Sequence, residues 1–192
     1  WEHIALVPSR VVLGSSEVSA RINQLKADVL TRPRDETQFL HDALKMWARI
    51  SEHRIDDTVL HDMNSKLRVG GLMQAEYLAS CLVLKNGSQL NPSAMEFDVL
   101  LANALKDSGL EELPEVIQFW RIQQLWERLL GKTDQSLSSL RDQYFARMLE
   151  QLKLGSMDEL LAYKKHCIDL VENGLNELFT GLDQDPSAIE AW

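Results

Sequence analysis

Proline, glycine and short polar clusters punctuate this chain at intervals of about one helix length, and apolar residues between them recur every three or four positions. Such spacing puts one greasy stripe on each helix and leaves little room for any other element. The first segment runs from Ser16 to Thr31 with Val18, Ile22, Leu25 and Val29 in phase, and Pro33 ends it. Asp35 opens the second as N-cap, with Gln38 three residues on to reach back, and its apolar face is Phe39, Ala43, Met46, Trp47 and Ile50. Asp56 or Asp57 starts a short third helix through Leu67, which Gly70-Gly71 stops.

The fourth helix, Leu72 to Lys85, is apolar over most of its circumference and must be surrounded. Asn86-Gly87 closes it with a left-handed cap. Asn91-Pro92 and Pro114 sit in the first turns of the fifth and sixth helices, where a missing N–H goes unnoticed. A seventh begins at Thr133 or Asp134 and stops at Gly155. Ser156 to Glu159 forms a capping box for the eighth, which Asn173-Gly174 interrupts. Residues 4–13 are β-branched around Pro8 and read as an extended strap.

The fold class is therefore all-α: about eight antiparallel helices, arranged as a helical-hairpin array (a short solenoid) or as a compact multi-helix bundle. Helix starts recur every 35 to 43 residues per pair, a rhythm near that of helical repeats, but no repeated consensus accompanies it. Residues 1–15 form the strapping segment, 16–181 the helical domain, and 182–192 an acidic tail ending in Ile189 and Trp192. Opening on Trp1 and closing on Trp192, the chain reads as a fragment of a longer protein.

With 192 residues and 45% hydrophobic content, the chain can bury a core without disulfide or metal. Its apolar runs fall well short of the roughly 20 residues a membrane span needs, and no cationic leader precedes residue 4, so a soluble intracellular protein, cytoplasmic or nuclear, is expected. Cys81 and Cys167 are isolated and read as free, buried thiols. A formal charge of −9 disfavours nucleic acid and favours a basic protein partner; Arg10, Arg21, Arg32 and Arg34 are the one thin basic cluster.

The sixth helix, ELPEVIQFWRIQQLWERLLGK in its setting, carries two stripes. At 100° per residue, Val116, Ile117 and Trp120 lie within about 60° of Leu113, whereas Phe119, Ile122, Leu125, Trp126, Leu129 and Leu130 fall nearly opposite. The helix is expected to change face halfway and bridge two neighbours. One stripe is alternatively a docking surface with Phe119, Trp120 and Trp126 as anchors, joined by Ile189 and Trp192 on the tail.

One cluster suggests chemistry. His53, Asp57 and His61 stand at i, i+4 and i+8 if the second and third helices are continuous, a spacing a divalent metal can use. His41-Asp42 and His61-Asp62 resemble the His-Asp dipeptides of HD-type phosphohydrolases, which implies a metal-dependent hydrolase, yet His166 is the only later histidine to complete a ligand set. Helix capping and a solvated face account for the same residues, and no phosphate-cradling loop or nucleophile elbow is present. The sequence thus points to a non-enzymatic scaffold or interaction domain without metal or cofactor. An adaptor whose terminal segments dock into a partner comes second, and the hydrolase third.

Overall fold

Ser15 accepts from the Val18 N–H at 3.3 Å and begins a helix over Ser16–Leu30; Asp35 accepts from the Gln38 N–H at 2.8 Å and begins the next. The computed structural model describes residues 2–52, 64–89, 96–130 and 142–182. Among them run α1 (Glu2–Leu6), α2 (Ser16–Leu30), α3 (Glu36–Glu52), α4 (Leu72–Lys85), α5 (Phe97–Ala104), α6 (Leu113–Leu130), α7 (Asp142–Leu152) and α8 (Met157–Leu178). A 3-10 turn, Gly87–Gln89, follows α4. No β-strand occurs among the described residues, so the molecule is all-helical.

The arrangement is a bundle around α4. Leu78, Ala79, Cys81 and Val83 of that helix are fully enclosed, and α1, α3, α5, α6 and α8 all pack against it. In a solenoid each pair of helices touches only its neighbours in sequence. A hub helix contacted from both ends of the chain is incompatible with that.

Several boundaries differ from their sequence reading for identifiable reasons. Residues 2–6 are helical rather than extended, and the strap begins only after them. Val7 is buried, and the Lys26 ammonium donates to the Ser9 carbonyl at 2.8 Å, pinning the strap onto α2. Burial of that ammonium lowers its pKa. Residues 64–70 form turns, so the end of the expected third helix is absent there, and its start lies outside the described residues, as do Asn91-Pro92 and Thr133-Asp134.

Gly87 does not adopt a left-handed cap; it is needed because a side chain there would run into the Leu30 carbonyl at the end of α2. The Gln38 side chain turns forward to Asp42 at 3.0 Å instead of back to the cap. Helix α8 passes through Asn173-Gly174 unbroken, since Gly174 is where Leu78 and Leu110 press against its backbone. The tail residues 183–192 lie outside the described residues.

Candidate functional site

The sixth helix does not change face. Leu113, Val116, Ile117 and Trp120 are buried as the periodicity predicts, and the same face continues as Gln123 and Glu127, both also buried. Glu127 lies only about 40° from Leu113 at 100° per residue. Leu125 and Leu129 of the expected second stripe are instead 47% and 68% exposed. Phe119 and Trp120, offered above as docking anchors, are core residues, packed edge to face on each other with ring centroids 5.0 Å apart. Trp126 is half-buried and its indole N–H donates to Gln151 on α7 at 2.9 Å.

A buried carboxylate needs polar partners, and those of Glu127 come from the turn between residues 64 and 71. The Ser65 N–H donates to one Glu127 carboxylate oxygen at 2.8 Å and its hydroxyl to the other at 2.9 Å. Arg68 lies over the Trp120 ring, 5.7 Å from its centroid. Lys164 of α8 completes the charge set. Arg68 and Lys164 are both sealed from solvent and both act electrostatically on Glu127. Burial raises the Glu127 pKa, while the Ser65 hydrogen bonds and the two cations pull it back down.

Backbone geometry holds the turn in place. The Leu72 N–H returns to the Ser65 carbonyl at 2.8 Å, and the Gly70 N–H donates to the Gln74 side chain at 2.7 Å. Gly70 sits at φ +64°, with the Ile168 Cα of α8 only 2.6 Å from where a Cβ would stand. Gly71 has the Ser65 carbonyl oxygen at the same 2.6 Å. The glycine pair therefore opens α4 and lets the turn lie directly on α8, rather than stopping a preceding helix. This node clamps three elements together, and its charges act on the protein rather than on solvent.

Both thiols are enclosed. Cys81 is buried with its pKa pushed up to about 12, and burial likewise raises Cys167. The Tyr77 hydroxyl, raised by burial, donates to the Ala43 carbonyl and shares a hydrogen bond with Cys81.

His41 and Asp42 lie on α3, and His53, Asp57, His61 and Asp62 fall outside the described residues, as do Ile189 and Trp192. Among the described residues no three potential ligands cluster as a metal site would require, and no helix is long and apolar enough to cross a membrane. Sequence reasoning missed Ser65, Arg68, Gln123, Glu127 and Lys164. The phase of Glu127 with Leu113 and Trp120 was the available signal.

No family model matches the chain. It is 33% identical over 91 residues, 47% of its length, to a bifunctional glutamine synthetase adenylyltransferase/adenylyl-removing enzyme of Shewanella woodyi. Proteins of the same description from Nitrosomonas eutropha and Acinetobacter baylyi are 34% and 30% identical over 84 and 100 residues, 44% and 50% of the chain. These matches span 9% to 11% of the relatives' own length. They overturn the expectation of a non-enzymatic scaffold, because the proteins this chain is similar to are named as enzymes.

Proposed function

We propose that this chain is the helical part of an enzyme that attaches adenylyl groups to glutamine synthetase and removes them. What carries the reading is that relatives from separate bacterial genera share one enzyme description. The protein partner is then glutamine synthetase itself, the small-molecule partner is an adenylyl donor, and a cytoplasmic rather than nuclear setting goes with it.

The chemistry of the described residues narrows the route. Cys81 and Cys167 stay protonated and enclosed, so an adenylyl group does not pass through a thiol of this chain. The ionic node of Ser65, Arg68, Glu127 and Lys164 contributes by fixing α6, α8 and the entry to α4 in one arrangement. A sealed charge set is poor at raising stability, and its use here is to exclude alternative packings of the three elements.

The test is adenylyl transfer from α-labelled ATP onto glutamine synthetase, and loss of label from the modified protein, using the complete polypeptide that contains these residues. Label gained in one assay and lost in the other is expected. A folded polypeptide that leaves glutamine synthetase unchanged in both directions overturns the reading.

A further inference from the structure

Two cavities of about 310 and 290 Å³ adjoin where α1, the turn between α2 and α3, and α4 meet. Arg32, Arg34, Phe39 and Leu84 wall both. Together they fall within the roughly 300–1,000 Å³ of small-molecule sites, and their linings differ sharply. The first is lined by Ile4, Phe39, Ala43, Met46 and Leu84, with Asp35, Gln38 and Asp42 at its rim. The second adds Lys85, Asn86 and Gln89 to the two arginines.

Charge distinguishes the two chambers further. Around the second, Arg32, Arg34 and Lys85 face one carboxylate, Glu36, a local excess of positive charge in a chain of net −9. Arg34 is a fixed element: its guanidinium donates to the Leu30 and Arg32 carbonyls at 3.0 and 2.9 Å and to Val29 at 2.7 Å, closing the end of α2. Lys85 meets Glu36 at 3.1 Å in a part-exposed pair of the kind worth little. The Arg32 side chain is exposed and makes no hydrogen bond or ion pair among the described residues. His3, on the edge of the first chamber, has its pKa lowered by burial first and then by Arg34, the terminal ammonium and Arg32.

We propose that this groove binds a purine nucleoside monophosphate, its phosphate against Arg32 and Lys85 and its base over Phe39. A phosphomonoester carries about −1.5 to −2 at neutral pH, which matches the positive excess of the second chamber, while the carboxylates of Asp35 and Asp42 line only the first. The rim selects the apolar part. Asp35 and Asp42 each use one oxygen on Gln38, at 2.8 and 3.0 Å, leaving further acceptors above an apolar floor. A fatty chain has no donor to offer them, whereas the exocyclic amino group of adenine does. The site stands apart from the transfer reaction proposed above and does not depend on it.

Calorimetric titration of this chain with AMP, adenosine and inorganic phosphate tests the proposal. AMP is expected to bind at least tenfold more tightly than either half-ligand. Arg32→Ala is expected to weaken AMP about tenfold or more, as loss of a charge-assisted contact does, with the thermal midpoint unchanged because the side chain is exposed. Asp42→Ala, which removes an acceptor for the base and nothing near Arg32 or Lys85, should weaken AMP while leaving phosphate alone. Absence of AMP binding at about 1 mM ligand, phosphate binding as tight as AMP, or a folded Arg32→Ala variant that keeps its affinity overturns it. Glutamine synthetase labelling reads separately, so failure here leaves that result standing.

Discussion

Helices α2 and α6 reverse each other. Helix α2 has apolar residues at i, i+4 and i+7, yet Val18, Ile22 and Leu25 are 50%, 42% and 50% exposed. Its covered positions are Lys26, Ala27 and Leu30, near its end. Helix α6 turns Gln123 and Glu127 inward and leaves Leu125 and Leu129 outside. Periodicity therefore identifies a face that could be buried, while the neighbour decides whether it is. On α6 the neighbour is a turn carrying Ser65 and Arg68, so Glu127 goes in. On α2, α1 and the strap cover only the last turns.

The comparison predicts its largest effect at Trp120. Truncation to Ala empties a fully enclosed site and removes the ring beneath Arg68. A loss of about 3–5 kcal/mol is expected in chemical denaturation. Next comes Gly70→Ala. Its positive φ costs an L-residue roughly 1–2 kcal/mol, and the new Cβ meets the Ile168 backbone, which as part of α8 cannot swing aside. A total near 3 kcal/mol is expected; a loss below about 1 kcal/mol would mean that the turn does not rest on α8.

Glu127 gives α6 a pH signature of its own. Its folded pKa is raised above the ordinary 4.5 by burial. Below that value the carboxyl is protonated in folded and unfolded chains alike and its contribution is fully present. As pH rises toward and through the folded value, the unfolded chain releases the proton more readily and stability falls. Wild type should thus lose stability relative to Glu127→Gln as pH rises from the ordinary carboxylate value through the raised folded one. A difference that stays flat, or grows with pH, would show the Arg68 and Lys164 attraction outweighing burial.

The same contrast explains what could be read in advance. The caps at Asp35 and Ser156 were legible because each contact spans three residues. Helix α4 was legible because it is apolar nearly all round, and such a helix has one fate. The node was not, because Ser65 and Glu127 are 62 residues apart and meet only once α4 and α6 have packed. The groove was half visible: Arg32 and Arg34 stood out as basic, but Phe39 and Leu84, which give it an apolar floor, read as ordinary core.

The smallest expected effect lies on α2. Ile22→Ser exchanges a side chain already largely in water, so stability should change by no more than about 0.5 kcal/mol, against several for Trp120. A loss above about 2 kcal/mol would mean that something covers Val18, Ile22 and Leu25 in solution. Repeating the denaturation across protein concentrations then separates a second copy, whose midpoint climbs with concentration, from cover supplied by the chain itself, whose midpoint does not. Either result would replace exposure by burial on α2 and leave α6 alone as the helix whose pattern and packing disagree.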